Sequence, residues 1–307
     1  MKHTTVNFPT YDFNIERTSK VCLLGSCFSE NLTHQLQKHY FDFLNNPLGI
    51  QFNPISISQL FLSPIDLVVE GTIQRQDIWL NWHANATIYS TNEKELKAVL
   101  TEKLTEFRES LKKMDVVFIT FGSAWVYELK STNTVVSNCH KFDSELFHKK
   151  ILSSELVISI WDEIIKTCTQ LNPQLKFVFT VSPVRHIKDG LIENQQSKDV
   201  LLTAIHQLIS KNKQAYYFPA YEYFIDELRD YAFFQADGIH PNDLAIARIW
   251  SKFKTAFFSD KTMSWVSELE RLLKQVAHQS IHPESKEAQN FAAYSKKQLA
   301  DFLSRTA

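Results

Sequence analysis

Four short, mainly apolar runs punctuate this chain: Val21 to Leu24, Val116 to Phe121, Phe177 to Val181 and Ala215 to Phe218. None alternates with polar residues. A strand that is apolar at every position is covered on both faces, the habit of parallel sheets. The segments between these runs carry helical spacing instead. Within 93–114, Leu96, Val99, Leu100, Leu104, Phe107 and Leu111 recur every three or four residues and predict an amphipathic helix. Helices are also predicted over 29–40 with Ser29 as N-cap, from about residue 55 with Asn53 as cap, over most of 144–171, over 197–212, and at the end of 233–258. Residues 71–92 have short alternating runs and read as β structure, and a polar insertion follows the second strand. Strand and helix therefore alternate, which predicts an α/β fold: a three-layer α/β/α sandwich around a central parallel sheet. Its body is expected over 1–258. Residues 259–307 are charged and helical, with a break near Pro283, and form a C-terminal extension. The stretch SWVSELERLLKQV there is amphipathic enough to pack on the body or to make the chain a homo-oligomer.

Composition narrows the classes. The chain has 307 residues, 44% of them hydrophobic and 23 of them Phe, enough for a sizeable core. A net charge of −1 gives no basic excess for nucleic acid or an anionic membrane. No apolar run approaches a membrane span, and the opening MKHTTVNFPTYDF has no apolar signal core. The four cysteines, Cys22, Cys27, Cys139 and Cys168, are too scattered for a disulfide framework. A cytoplasmic protein with free thiols is expected. No paired metal-ligand spacing and no Gly-rich nucleotide loop occurs, so neither metal nor cofactor is expected.

Two loops carry candidate chemistry. In VCLLGSCFSENL (21–32), the first strand runs into Gly25 and turns toward a helix. That turn holds a hydroxyl, Ser26, beside a thiol, Cys27, and strand-to-helix turns are where α/β enzymes place nucleophiles. In DGIHPN (237–242), Asp237 and His240 stand three apart around Gly238. Such a turn can hold a carboxylate on one imidazole nitrogen while the other faces a nucleophile. Read blandly, it is a surface turn with capping residues.

Gly25-Ser26-Cys27-Phe28, a Gly loop at Gly49, Gly122 after the second strand and Asp237-x-x-His240 near the end come in an order that resembles the SGNH, or GDSL-like, hydrolase superfamily. Within it the chain is similar to the GSCFA branch over roughly residues 20 to 255. The resemblance implies an SGNH-like fold and an esterase-type hydrolase acting on a small-molecule or glycan acyl ester or thioester. The superfamily's Gly-Asp-Ser aligns with Gly25-Ser26-Cys27, so it implies Cys27 as nucleophile, with Ser26 the alternative, and His240 and Asp237 as the rest of a catalytic triad. It further implies oxyanion donors at Cys27 N–H and Gly49 N–H. The third motif's Asn is replaced here by Ala124, in Gly122-Ser123-Ala124-Trp125. Ser123, Asn138 and His140 are candidate substitutes. Arg185, His186 and Lys188 follow a strand end and can bind an anionic substrate, whereas His83, among aromatics, reads as a packed residue. The missing Asn keeps a second reading open: a ligand- or glycan-binding module on the same scaffold.

Overall fold

The computed structural model of the chain describes residues 4–306. Its first strand, β1 (Val21–Gly25), is buried throughout. Its side chains divide by parity: Cys22 and Leu24 join one core cluster, Val21 and Leu23 the other. A strand's two-residue period requires that division when both faces are covered. The chain continues through α1 (Cys27–Lys38), β2 (Phe43–Asn45), α2 (Pro54–Leu62), α3 (Ile65–Glu70), β3 (Thr72–Arg75), β4 (Ile78–Asn81), α4 (Glu93–Leu111) and β5 (Val116–Phe121). Next come β6 (Trp125–Leu129), β7 (Val135–Val136), β8 (Phe147–Ile151), α5 (Ser154–Leu171), β9 (Lys176–Val181), α6 (Leu191–Lys211), β10 (Ala215–Tyr217) and the short α7 (Ala220–Glu222). Three helices end the chain: α8 (Asp243–Phe257), α9 (Asp260–Val276) and α10 (Lys286–Thr306).

Five strands form the central parallel sheet in the order β10-β9-β5-β1-β2. Leu24 pairs with Ile119 and Gly25 with Thr120 across β1 and β5. One sheet face packs under Leu100 and Phe107 of α4, Trp161 of α5 and Ile205 of α6. The other packs under Phe28 and Leu32 of α1 and Trp250 and Phe253 of α8. The predicted α/β/α layers are present. From β1 the chain steps outward to β2, then returns to β5 on the opposite side. The loops leaving β1 and β5 therefore diverge, and a crevice opens at the carboxyl ends of the strands, where open α/β sheets bind ligands.

Several elements differ from expectation. α1 begins at Cys27 with Ser26 as its cap, not at Ser29. Residues 147–151 pair with β6 as β8 rather than continuing a helix into α5, because strand pairing overrides their local helix propensity. The edge strand β2 carries only three half-buried residues, too short a run to signal itself. In the C-terminal extension, α9 buries Val266, Leu269 and Leu272, and its Glu270 bonds His39 of α1 and Lys254 of α8. The Phe302 ring of α10 stacks on Trp265 at 5.6 Å. Among the described residues, no helix is long and apolar enough to cross a membrane.

Candidate active site

The β1–α1 turn is built on Gly25. Its φ of +120° lies where side chains are rarely tolerated, and a Cβ there would stand 2.1 Å from Thr120 O. This close approach lets Ser26 N–H donate to Thr120 O at 3.1 Å. Ser26 is buried, and its hydroxyl accepts from Phe28 N–H as the helix cap. Ser29, inside the first turn, donates its hydroxyl to Ser26 O at 2.8 Å. With the cap at Ser26, Cys27 becomes the first helical residue. It is partly exposed and lines a cleft of about 630 Å³ together with Phe52, Asn53, Ser123, Trp125 and His240.

The opposite wall carries the second loop. Asp237 Oδ1 accepts from Ile239 N–H at 2.8 Å and His240 N–H at 3.1 Å, while Oδ2 lies 2.7 Å from His240 Nδ1. Those hydrogen bonds, that from the imidazole first, hold the Asp237 carboxyl down to about 2. A carboxylate on Nδ1 favours the Nδ1–H tautomer and leaves Nε2 free to take a proton. Arg185 braces the loop: Nη1 donates to Gly238 O at 3.4 Å, and the guanidinium lies 4.5 Å from the Phe234 ring centre. Asn242 then caps α8 by accepting from Ala245 N–H.

The thiol feels opposing influences. Burial raises the Cys27 pKa; the Lys198 charge and the N–H groups of Cys27 and Phe28 lower it, and Glu30 raises it. Burial prevails, so the thiol lies above its ordinary value. Among the described residues, no hydrogen bond joins Cys27 to His240. Lys198, which sequence reasoning missed, is completely buried on α6. Its Nζ donates to Gly122 O and Ser182 O, each at 2.7 Å, and burial lowers its pKa to about 7. It belongs to a polar face: Ser197 Oγ accepts from Ala124 N–H at 2.7 Å, and Asn194 Oδ1 accepts from His186 N–H at 3.0 Å. This face ties α6 to the loops after β5 and β9.

The remaining predicted residues divide. Ser123, Arg185, His186 and Lys188 line the Cys27 cleft. Ser123 Oγ already accepts from Trp125 N–H at 3.0 Å. His186 packs edge-on against Phe52 and is pushed down to about 4, first by burial and then by Lys198, which makes it a neutral imidazole. Gly122 lies behind the cleft wall, its N–H spent on Phe52 O at 2.7 Å. Gly49 stands elsewhere than expected: its N–H closes a turn on Asn46 O at 2.7 Å, so that group is not free to hold an oxyanion. Asn138 and His140 line an adjoining recess of about 420 Å³, which shares Phe52, Tyr127 and Lys188 with the cleft. There Asn138 Oδ1 accepts from His140 N–H, and His140 Nε2 lies 2.7 Å from Asn81 O, so both serve the loop. His83 is packed, with Nδ1 2.8 Å from Gln59 Oε1.

Two further residues were missed. Asn46 accepts from Gly25 N–H at 2.8 Å and donates to Glu30, stapling the loop after β2 to the β1–α1 turn. Asn53, the predicted cap of α2, also lines the cleft, and its Nδ2 donates one hydrogen to Ser56 Oγ at 2.9 Å. No group of three or more His, Cys, Asp or Glu among the described residues could hold a metal ion.

No curated protein sequence matches the chain. Among the solved structures that resemble it distantly are two esterases. A carbohydrate esterase family 3 protein from Talaromyces cellulolyticus is 9% identical with a TM-score of 0.36, covering 81% of this chain and 99% of that one. An acetyl xylan esterase from the rumen bacterium Butyrivibrio proteoclasticus is 9% identical with a TM-score of 0.35, covering 88% of this chain and 66% of that one. The sequence model of the GSCFA family matches residues 20–253, a span that runs from β1 through the Asp237–His240 loop into α8, and the chain belongs to that family.

Proposed function

We propose that this protein is a cysteine-dependent acyl hydrolase or acyltransferase acting on small-molecule or glycan esters or thioesters. The observation that carries the reading is one cleft lined by both Cys27 and His240, with His240 held on Asp237 at 2.7 Å. The Cys27 thiol gives its proton to His240 Nε2, the thiolate attacks the acyl carbon, and negative charge develops on the carbonyl oxygen. Cys27 N–H, one of the first-turn amides with no helix carbonyl to donate to, is the donor assigned to that charge. The second amide hydrogen of Asn53 is a donor on the same cleft and fills the gap left by Ala124 and by the occupied Gly49 N–H. The tetrahedral intermediate collapses as His240 gives a proton to the leaving oxygen or sulfur, and the acyl group remains on Cys27 as a thioester. Water or another acceptor, deprotonated by His240, then attacks that carbonyl and the thiolate departs.

A second reading is a binding module. It is favoured by the thiol's upward shift and by the absence, among the described residues, of a Cys27–His240 hydrogen bond. Intact-mass spectrometry after brief exposure to an activated acetyl ester separates the two, with His240→Ala alongside. A transient acetyl group mapped to Cys27, and lost in the variant, supports the hydrolase. An adduct on Ser26 moves the nucleophile one residue, and no adduct at all leaves the binding module.

A further inference from the structure

Lys198 is completely buried on α6, behind the residues that line this site, and has no carboxylate partner among the described residues. Its two hydrogen bonds go to Gly122 O at the end of β5 and Ser182 O just past β9. Residues just beyond those carbonyls reach the cleft: Ser123 next to Gly122, and Val184 two beyond Ser182. Gly122 also packs against the nucleophile turn, since a Cβ there would lie 3.1 Å from Ser26 Cβ. The ammonium is thus fixed behind the floor on which Cys27 stands. If holding two carbonyls were its whole task, a neutral donor of similar length would serve without the cost of burying a charge.

We propose that Lys198 is a positioning residue that readies Cys27: its ammonium, held behind the turn that carries the thiol, stabilises the thiolate through space. This deepens the acyl-transfer reading and rests on Cys27 being its nucleophile. The two groups act on each other: the Lys198 charge is the leading influence that favours thiolate, and Cys27 in turn is the one side chain that favours ammonium. Thiolate and ammonium therefore form together as a coupled pair, titrating jointly. The other charges facing Cys27 do not replace this one. Glu30, on its own helix, opposes ionisation. Across the cleft, Asp189 is paired with Lys149 and Asp237 holds His240. Arg185 is turned onto the Phe234 ring, Lys188 is exposed on the rim, and His186 is a neutral imidazole that Lys198 itself helps to discharge.

The experiment reads Cys27 alkylation by iodoacetamide against pH, with peptide mapping, in the wild type and in Lys198→Met. An opposite charge at short range moves a pKa by roughly 1–3 units. The variant's profile should therefore be displaced upward, with alkylation at pH 7 slower by about tenfold or more. Lys198→Met leaves two carbonyls unpaired and could unfold, so a second measurement stands beside it. Lysine labelled with ¹³C at Cε gives the Lys198 titration in the wild type and in Cys27→Ala, and coupling requires its midpoint to fall when the thiol is removed. Superimposable alkylation profiles in a folded variant, or an unmoved Lys198 midpoint, overturn the proposal. Acetyl transfer to Cys27 that persists beside such results leaves the hydrolase reading standing alone. A moved midpoint without any acyl adduct supports the coupling and defeats the hydrolase.

Discussion

Replacing Gly25 with alanine tests the turn on which the rest of the site depends. The new Cβ would meet Thr120 O at 2.1 Å, Thr120 C at 2.8 Å and Thr120 N at 3.0 Å. An ordinary carbon contact is roughly 3.5 Å, so β1 and β5 must part by about 1.4 Å at this pair. The neighbouring bond from Ser26 N–H to Thr120 O, already 3.1 Å long, cannot survive that opening. Leaving its buried groups unpaired costs about 1–3 kcal/mol. Forcing a residue with a Cβ to a φ of +120° adds about 1–3 kcal/mol. The sum of about 2–6 kcal/mol is a large share of the roughly 5–15 kcal/mol that holds a typical domain folded. Urea unfolding followed by circular dichroism reads the loss as a lowered midpoint at unchanged slope. Cys27 alkylation under native conditions reads the local effect, because Ser26 caps the helix that presents the thiol. A loss below about 1 kcal/mol with unaltered thiol reactivity would show that the Gly25–Thr120 approach is relaxed at no cost and would refute the reasoning.

Asp237→Asn removes the carboxylate that orients His240; acyl transfer to Cys27 should slow by about 10² or more at unchanged fold, and single-turnover acylation followed by mass spectrometry checks it. Asn46→Ala deletes the bonds to Gly25 N–H and Glu30 and should destabilise by about 1–3 kcal/mol in urea titration; an unmoved midpoint would mean the staple carries no weight. His83 and His186, held down to about 4 chiefly by burial, refuse protons that the unfolded chain accepts below about pH 6.5, so stability falls as pH drops from 7 to 5, by about 2 kcal/mol for each. Urea midpoints that agree at pH 7 and 5 would show both imidazoles charging as freely as in water.

The parts of the fold that were legible are those whose burial is two-sided. β1, β5 and β9 are apolar at nearly every position, with Thr120 and Thr180 the polar residues inside their runs, so those runs identify them without any partner. β8 was not legible, because its Lys149 and Lys150 look like helix surface until β6 is there to pair with them. In the candidate site, Cys27, His240 and Asp237 were singled out from motif order, spacing and the family resemblance, and a local turn fixes the Asp237–His240 geometry. Gly49 shows the limit of that approach: its loop was recognised, but its N–H is consumed by Asn46 O, a fact of backbone geometry. Lys198 did leave a trace. It stands three, seven and ten residues before Leu201, Ile205 and Leu208, on the helix stripe that the core buries. A charge on such a stripe is a signal. Its partners are carbonyls from two separate strands, however, and only the assembled sheet brings them together.

The motif's change from an acid and a hydroxyl to Ser26-Cys27 has a physical logic on the acyl-transfer reading. A serine hydroxyl is a nucleophile only while a base removes its proton, so it needs a direct hydrogen bond to the imidazole. A thiol can ionise beforehand, under a helix N-terminus or a nearby cation, and attack without that bond. This cleft has no such bond between Cys27 and His240 among the described residues, but it sets the sulfur at the start of α1 and before the Lys198 charge. Ser26, displaced from the chemistry, does what a hydroxyl at a helix start does well and accepts from the backbone as a cap. His240 Nε2 then passes the proton it took from the thiol to the leaving group and takes another from water. An entering acyl group covers the thiol, and with less water to screen it the attraction between ammonium and thiolate strengthens. Lys198 is already completely buried, so its charge loses no further hydration when the cleft closes over substrate.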